Sequence, residues 1–286
     1  MTAVLALAAS LLWGLADFGG GSLTRRLPAL TVVVASQLTA AVALVVAVLA
    51  TGGLAEASPA LWYAVAAGVV GPFAMLAFYR ALALGPMGVV SPLATVGVVV
   101  PVGVGLLLGE RPGPVQFAGI AVAVLGVALA GGPQRGGPAA AGRVLALTVG
   151  AAFGFGAVMV LIAESSADGG LLLALTVQRV CNIMIGGAAL VLTYRRLPGG
   201  RPAADLAVAR RHLLPLTAVG LADVAANGAY AAAAHSGSAA VAAVLASLYP
   251  VVTALMARGL LKERLLRVQV VGAGLALAGT LLLAAG

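Results

Sequence analysis

The sequence predicts an all-α integral membrane protein with ten transmembrane helices in two inverted five-helix repeats. Three observations predict it: extreme apolarity, ten apolar runs, and an internal duplication. Of the 286 residues 62% are hydrophobic and only 8% charged, and the mean hydropathy is +1.14. Soluble domains carry roughly 25% charged residues, so this chain cannot coat a water-facing surface and most of it must be solvated by lipid. A spanning helix takes about 20 apolar residues at 1.5 Å rise each. Ten such helices use about 200 residues, leaving short loops and no room for a soluble domain.

The apolar runs, bounded by polar or Gly/Pro punctuation, lie at about 2–22, 29–51, 60–84, 87–108 and 113–131. A second set lies at about 144–163, 170–193, 213–234, 237–258 and 265–285. The Gly/Pro-rich stretch 133–142 reads as a linker between a first repeat, 1–132, and a second, 143–286. The run beginning Met1 to Leu12 lacks a basic leading region and continues into Asp17, so it reads as a retained first helix rather than a signal peptide.

The duplication is explicit. LGERPGPVQFAGIAVAVLGVAL from Leu108 aligns without gaps on LKERLLRVQVVGAGLALAGTLL from Leu261, at an offset of 153 residues. Glu110 matches Glu263, Arg111 matches Arg264, Gln116 matches Gln269, Gly119 matches Gly272 and Gly126 matches Gly279. A repeat with an odd number of spans must place its second copy the other way up. Loop charges agree. Arg25 and Arg26 follow the first run, whereas Glu164 and Asp168 follow its counterpart. Glu56 follows the second run, whereas Arg195, Arg196, Arg201, Arg210 and Arg211 follow its counterpart.

The repeated LGER/LKER with its glycine-spaced closing helix resembles the EamA-type repeat of the drug/metabolite transporter superfamily. LLWGLADFGG near the start, YRALALGPM, and SLYPVVTALMARGLLKERLLRVQVVG near the end resemble it too. The resemblance covers essentially the whole chain. It implies a ten-helix basket around a central cavity, in a family that mostly exports or exchanges small metabolites, amino acids or drugs by secondary transport. The expected location is the inner (plasma) membrane, multi-pass. Members generally keep the N terminus in the cytoplasm. Here the arginines and lysines crowd the face that holds Arg25, Arg195, Arg211 and Lys262, while the opposite face offers Arg111. The positive-inside rule then places both termini outside.

An ionised side chain at mid-membrane costs about 2.5–3.5 kcal/mol on insertion scales, so such residues point to a cavity. Arg179 and Asp223 fall deep in their runs; Asp17 falls nearer the end of the first, where a solvated, terminus-proximal position is the alternative. Asp223, Asn227 and Tyr230 share one helical face at i, i+4 and i+7, Gln178 and Asn182 flank Arg179, Trp13 shares a face with Asp17, and Gln37 lies within the second run. These nine residues are the expected substrate-binding set. With two acids and one fixed cation, one acid stays ionised beside Arg179 and the other can carry a proton, which would allow exchange against a cationic or zwitterionic substrate. The alternative is a permanent structural pair between Arg179 and Asp223.

Other features read as structural. Tyr79 and Arg80, near the end of their run, read as interfacial anchors. Glu110 and Glu263 read as helix-terminus, loop-fixing charges. Gly119, Gly126, Gly150, Gly154, Gly272 and Gly274 read as packing devices, Pro92, Pro101 and Pro250 as kinks, and His212 and His235 as loop or capping residues. With two histidines, one cysteine (Cys181) and eight scattered acids, no metal site, catalytic cluster or cofactor is expected. No phosphate loop supports ATP-driven transport. The pI near 10.8 reflects loop arginines facing headgroups rather than nucleic acid. A small-molecule substrate and membrane lipid are the expected partners, with a homodimer left open. The competing reading is a membrane enzyme or lipid-handling protein, which would need a polar cluster at one interface that the sequence lacks.

Overall fold

The computed structural model describes residues 1–107, 113–130, 138–166, 170–196, 210–236, 245–246 and 248–285. Its helices are α1 (Thr2–Thr24), α2 (Ala29–Thr51), α3 (Leu61–Leu84), α4 (Met87–Ala94), α5 (Val99–Leu107) and α6 (Pro114–Ala130). They continue with α7 (Pro138–Ser165), α8 (Leu171–Arg196), α9 (Leu213–His235), α10 (Tyr249–Leu260) and α11 (Arg267–Ala285). Short 3₁₀ turns cover Gly53–Glu56 and Thr95–Val98. No strand occurs among the described residues. Five helices, α1, α2, α3, α7 and α8, are long and apolar enough to cross a membrane. α9 is 23 residues long but gives up hydropathy to Asp223 and Asn227.

The chain is a membrane protein, and its surface shows why. On α2 the exposed large side chains are Leu38, Val42, Val45, Val46 and Leu49, whereas Ser36 and Gln37 are each 1% exposed. Polar groups inside and aliphatic groups outside reverse the soluble pattern and suit a helix whose outer face meets acyl chains.

The main packing joins the first half of the chain to the second. α3 packs on α7 and α1 on α9; α3 packs on α8 and α9 on α2; α2 meets α8, and α6 meets α11. At the α6–α11 crossing glycines bring the backbones into contact. A Cβ on Gly119 would meet the Gly279 carbonyl, and one on Gly126 would meet Ala276 and the Gly272 carbonyl, so the two helices run antiparallel. Gly154 lies against Ala74 in the same way. Gly150 and Gly274 do not act as packing devices, because a Cβ at either position would meet open space.

Three sequence boundaries shift. The run 87–108 is not one helix. Pro101 has no N–H to offer the Gly97 carbonyl four residues back, the chain tightens into the turn Thr95–Val98, and the freed carbonyl of Gly97 abuts Gly156 on α7. α7 begins at Pro138, inside the stretch read as linker, with proline in the first turn where its missing N–H costs nothing. Pro250 does not kink a helix; it sits in the first turn of α10. Residues 237–244 and 247 of that run lie outside the described residues, as do Glu110 and Arg111.

Loop contacts tie the ends together. Arg25, after α1, pairs with Glu263, before α11, at 2.7 Å. The second oxygen of Glu263 accepts from the Gly88 N–H at the start of α4 (3.4 Å), which supports a loop-fixing role for this residue. Lys262, next to Glu263, takes a left-handed φ of 54° in this loop. Thr2 and Ser236 hydroxyls meet at 3.1 Å, and Gly170 lies against the Glu56 backbone.

Candidate functional site

α2, α3, α8 and α9 converge on a buried polar knot. Gln37 is its centre: its Oε1 accepts from Arg179 Nη1 at 2.5 Å and from Asn182 Nδ2 at 3.3 Å, while its Nε2 donates to Met75 Sδ at 3.2 Å. Arg179 Nη2 stands 2.6 Å from Asp223 Oδ2, with side chains 10% and 18% exposed. That contact is an ion pair rather than an aligned hydrogen bond, since Oδ2 receives no hydrogen bond among the described residues. One turn along α9, Asn227 Nδ2 donates to the Asp223 backbone carbonyl at 2.7 Å and lies 3.4 Å from Oδ1. Gly71 makes room for the Asn182 amide, because a Cβ there would stand 2.7 Å from Asn182 Oδ1.

Two polar atoms of this knot, Arg179 Nε and Asn182 Oδ1, and the neighbouring Gln178 Oε1 are buried without a hydrogen-bond partner among the described residues. An unpaired buried polar atom costs about 1–3 kcal/mol. A site with several is unfinished by the protein's own groups, as a site for a polar ligand or for water would be.

Beside the knot lies a second group. Asp17 Oδ2 accepts from Ser91 Oγ on α4 at 3.3 Å. α1 continues to Thr24, about two turns past Asp17, so this carboxylate is inside the bundle and the terminus-proximal alternative does not hold. It lies within electrostatic reach of Asp223, and Arg179 is already bonded to Asp223. One turn before Asp17, Trp13 meets Tyr230 (centroids 5.8 Å apart, planes at 43°) and Tyr249 (6.2 Å, 66°). Tyr249 is itself within electrostatic reach of Asp17.

The structure therefore brings eight of the nine expected residues into two adjoining groups: Gln37, Arg179, Asn182, Asp223 and Asn227 in one, Trp13, Asp17 and Tyr230 in the other. Gln178 is buried nearby with its amide oxygen unpaired. Tyr79 is a correction: at 2% exposure it is a core residue and not an interfacial anchor. Its ring seats against Gly20, where a Cβ would collide, and its hydroxyl faces Ser36. Arg80 is exposed. Sequence reasoning also missed Met75, Ser91 and Tyr249. Two of these precede prolines, Ser91-Pro92 inside α4 and Tyr249-Pro250 at the start of α10.

A bundle of lipid-facing helices with an ion pair and unpaired polar atoms buried inside it defines a membrane protein built around a polar network. The chain belongs to the EamA-like transporter family, whose model matches it twice, over residues 1–132 and 142–285. Members of that family are transporters, which makes this chain a membrane transporter of small molecules. A solved structure, titled only as the crystal structure of a protein, superposes with a TM-score of 0.59 at 16% identity, covering 98% of this chain and 95% of that one. At that identity it shows a shared fold alone. No curated protein matches the chain.

Proposed function

We propose that this EamA-like chain is a ten-helix secondary transporter of the inner membrane that exports or exchanges a small metabolite by alternating access. The observation that carries the proposal is the Arg179 knot. An arginine and an aspartate sit inside membrane-crossing helices, and Gln37 and Met75 of the first half bind into the same network as Arg179, Asn182 and Asp223 of the second. Intramembrane charges are expensive, and they mark substrate or ion pathways. A network shared by both halves is remade when the halves rock.

The ten-span, inverted arrangement draws support from two sides. Each of the main pairings between the halves has a counterpart when the halves are exchanged: α3 on α7 becomes α9 on α1, α3 on α8 becomes α9 on α2, and α2 on α8 and α6 on α11 map onto themselves. The three loop contacts, Arg25–Glu263, Thr2–Ser236 and Glu56–Gly170, each join segments that a ten-span topology puts on the same face. Proton coupling follows from charge balance. Arg179 neutralises Asp223, and Asp17, held by the Ser91 hydroxyl, exchanges its proton for the charge of the substrate.

The test is counterflow in reconstituted vesicles with a panel of small metabolites, for the native chain and for Asp223→Asn. The expected result is proton-gradient-driven transport that Asp223→Asn abolishes while the variant remains folded and inserted, because Arg179, released from Asp223, then holds Asp17 ionised and stops it carrying a proton. Normal transport by that variant, or loss explained only by failed accumulation, overturns the mechanism.

A further inference from the structure

The chamber is electrically and chemically lopsided, and its asymmetry names a ligand. The charge of the guanidinium beside the two carboxylates is balanced: Arg179 sets one nitrogen against Asp223 and another against Gln37, leaving Nε unpaired among the described residues. Asp17 holds only the Ser91 hydroxyl, so one carboxylate stands without a cation among the described residues. The wall next to it is aromatic. Trp13, one turn before Asp17 on α1, meets Tyr230 of α9 at 5.8 Å and Tyr249 of α10 at 6.2 Å, with planes at 43° and 66° to the indole. The rings are thus tilted to one another like the sides of a box rather than stacked into one slab. All four residues are half-buried, as lining residues are. Gly14, between Trp13 and Asp17, sets how closely Tyr249 approaches: it lies against the Tyr249 backbone carbonyl and Val252, where any larger side chain would push α10 away.

Aromatic faces attract cations through their quadrupole, tryptophan most strongly, and aromatic cages are the common receptor for quaternary and alkylated ammonium groups. A strongly hydrated small cation gains little from such walls; a bulky alkylammonium, already poorly hydrated, fits them. A carboxylate-bearing zwitterion finds no uncommitted cation here, because the charge of Arg179 is already balanced.

We propose that Trp13, Tyr230, Tyr249 and Asp17 form the binding site for the alkylammonium group of a monocationic substrate, Asp17 balancing its charge and the three rings enclosing its alkyl groups. The proposal rests on the transporter reading and narrows it to a substrate class.

The test uses the full chain in nanodiscs, with Trp62→Phe to leave Trp13 as the reporting indole; Trp62 is exposed and stacks on Tyr63, away from the box. Trp13 fluorescence is titrated with choline, with tetraethylammonium, with the uncharged choline isostere 3,3-dimethyl-1-butanol, and with betaine. The expected result is saturable quenching by the two cations, at least about tenfold weaker response to the neutral isostere, and weak or absent response to betaine. Asp17→Asn is expected to weaken cation binding about tenfold or more while its thermal unfolding in detergent stays close to that of the parent. The comparison of charged and uncharged ligands needs no variant, so it decides even if Asp17→Asn misfolds. Equal binding of the neutral isostere, or tighter binding of betaine, overturns the substrate class. Absence of cation binding together with counterflow of an uncharged or anionic solute also overturns it while leaving the transporter reading intact; absence of binding and of all counterflow overturns both.

Discussion

Replacing Arg179 by alanine removes two contacts at once. The Asp223 carboxylate loses its counter-ion at 2.6 Å, and the Gln37 amide oxygen loses its shorter donor at 2.5 Å, keeping Asn182 at 3.3 Å. With side chains 10% and 18% exposed, water screens little of the pair. Neutral interhelical hydrogen bonds in membranes are worth about 0.6 kcal/mol on average, too little to matter greatly here. Stranding a buried charge costs about 3–5 kcal/mol, and that term dominates. Arg179→Ala is therefore expected to destabilise by about 3 kcal/mol or more, and Asp223→Ala by a similar amount. The double variant is expected to cost less than their sum, by about 1.5 kcal/mol or more, because no charge is left unpaired. Arg179→Lys keeps the charge but lacks the planar fork that reaches Gln37 and Asp223 together, so an intermediate loss is expected. Reversible unfolding in mixed micelles across this cycle is the assay. A loss below about 1 kcal/mol for Arg179→Ala, or additivity within about 0.5 kcal/mol, refutes the reasoning.

Gly126→Leu is expected to abolish stable folding by forcing α6 off the α11 backbone, whereas Gly274→Ala, which faces open space, should leave thermal stability within about 0.5 kcal/mol; size-exclusion profiles and melting curves of the pair check this. Arg25→Ala removes a bridge whose arginine is about a third exposed, so less than about 1 kcal/mol is expected. Glu263→Ala should cost more, because Glu263 also accepts from Gly88 at the start of α4, and parallel melts rank the two. A cysteine placed between residues 195 and 211, in a Cys181→Ala background, is expected to resist membrane-impermeant thiol reagents in intact cells, as the arginine-rich loop implies; ready labelling would reverse the assigned orientation.

Membrane residence was legible because hydropathy integrates over a whole helix and tolerates local error. The deep charges were legible for the same reason: Arg179 and Asp223 interrupt long apolar runs, where insertion cost leaves few options. What escaped depended on neighbours in space. Tyr79 looked terminal by its place in the chain, yet α3 buries its ring against Gly20 of α1. Asp17 was ambiguous until α1 proved to extend past it to Thr24. Tyr249 and Ser91 carried no periodic signal at all, since each sits in an apolar run and only its contact with α1 marks it. The run 87–108 reads as one helix by hydropathy because a scale counts side chains and ignores the missing N–H of Pro101.

The crossing of α6 and α11 has the form of a contact between two copies of one thing. Gly119 meets Gly279 and Gly126 meets Gly272; exchanging each glycine for its repeat partner turns the first contact into the second, as in a two-fold symmetric dimer interface. Such a contact needs no covalent link to be specified: two separate five-helix chains inserted in opposite senses would make it unaided. On the inverted arrangement proposed above, the peptide joining the halves contributes concentration rather than geometry. A covalent connection alone raises the effective concentration of one half near the other to the millimolar range, and it also fixes that each molecule holds one half of each orientation. Once the halves are tied, their sequences are free to diverge. The Arg179 knot is the product of that freedom: its guanidinium and both aspartate-side partners come from the second half alone, so the chamber is asymmetric although the frame around it is not.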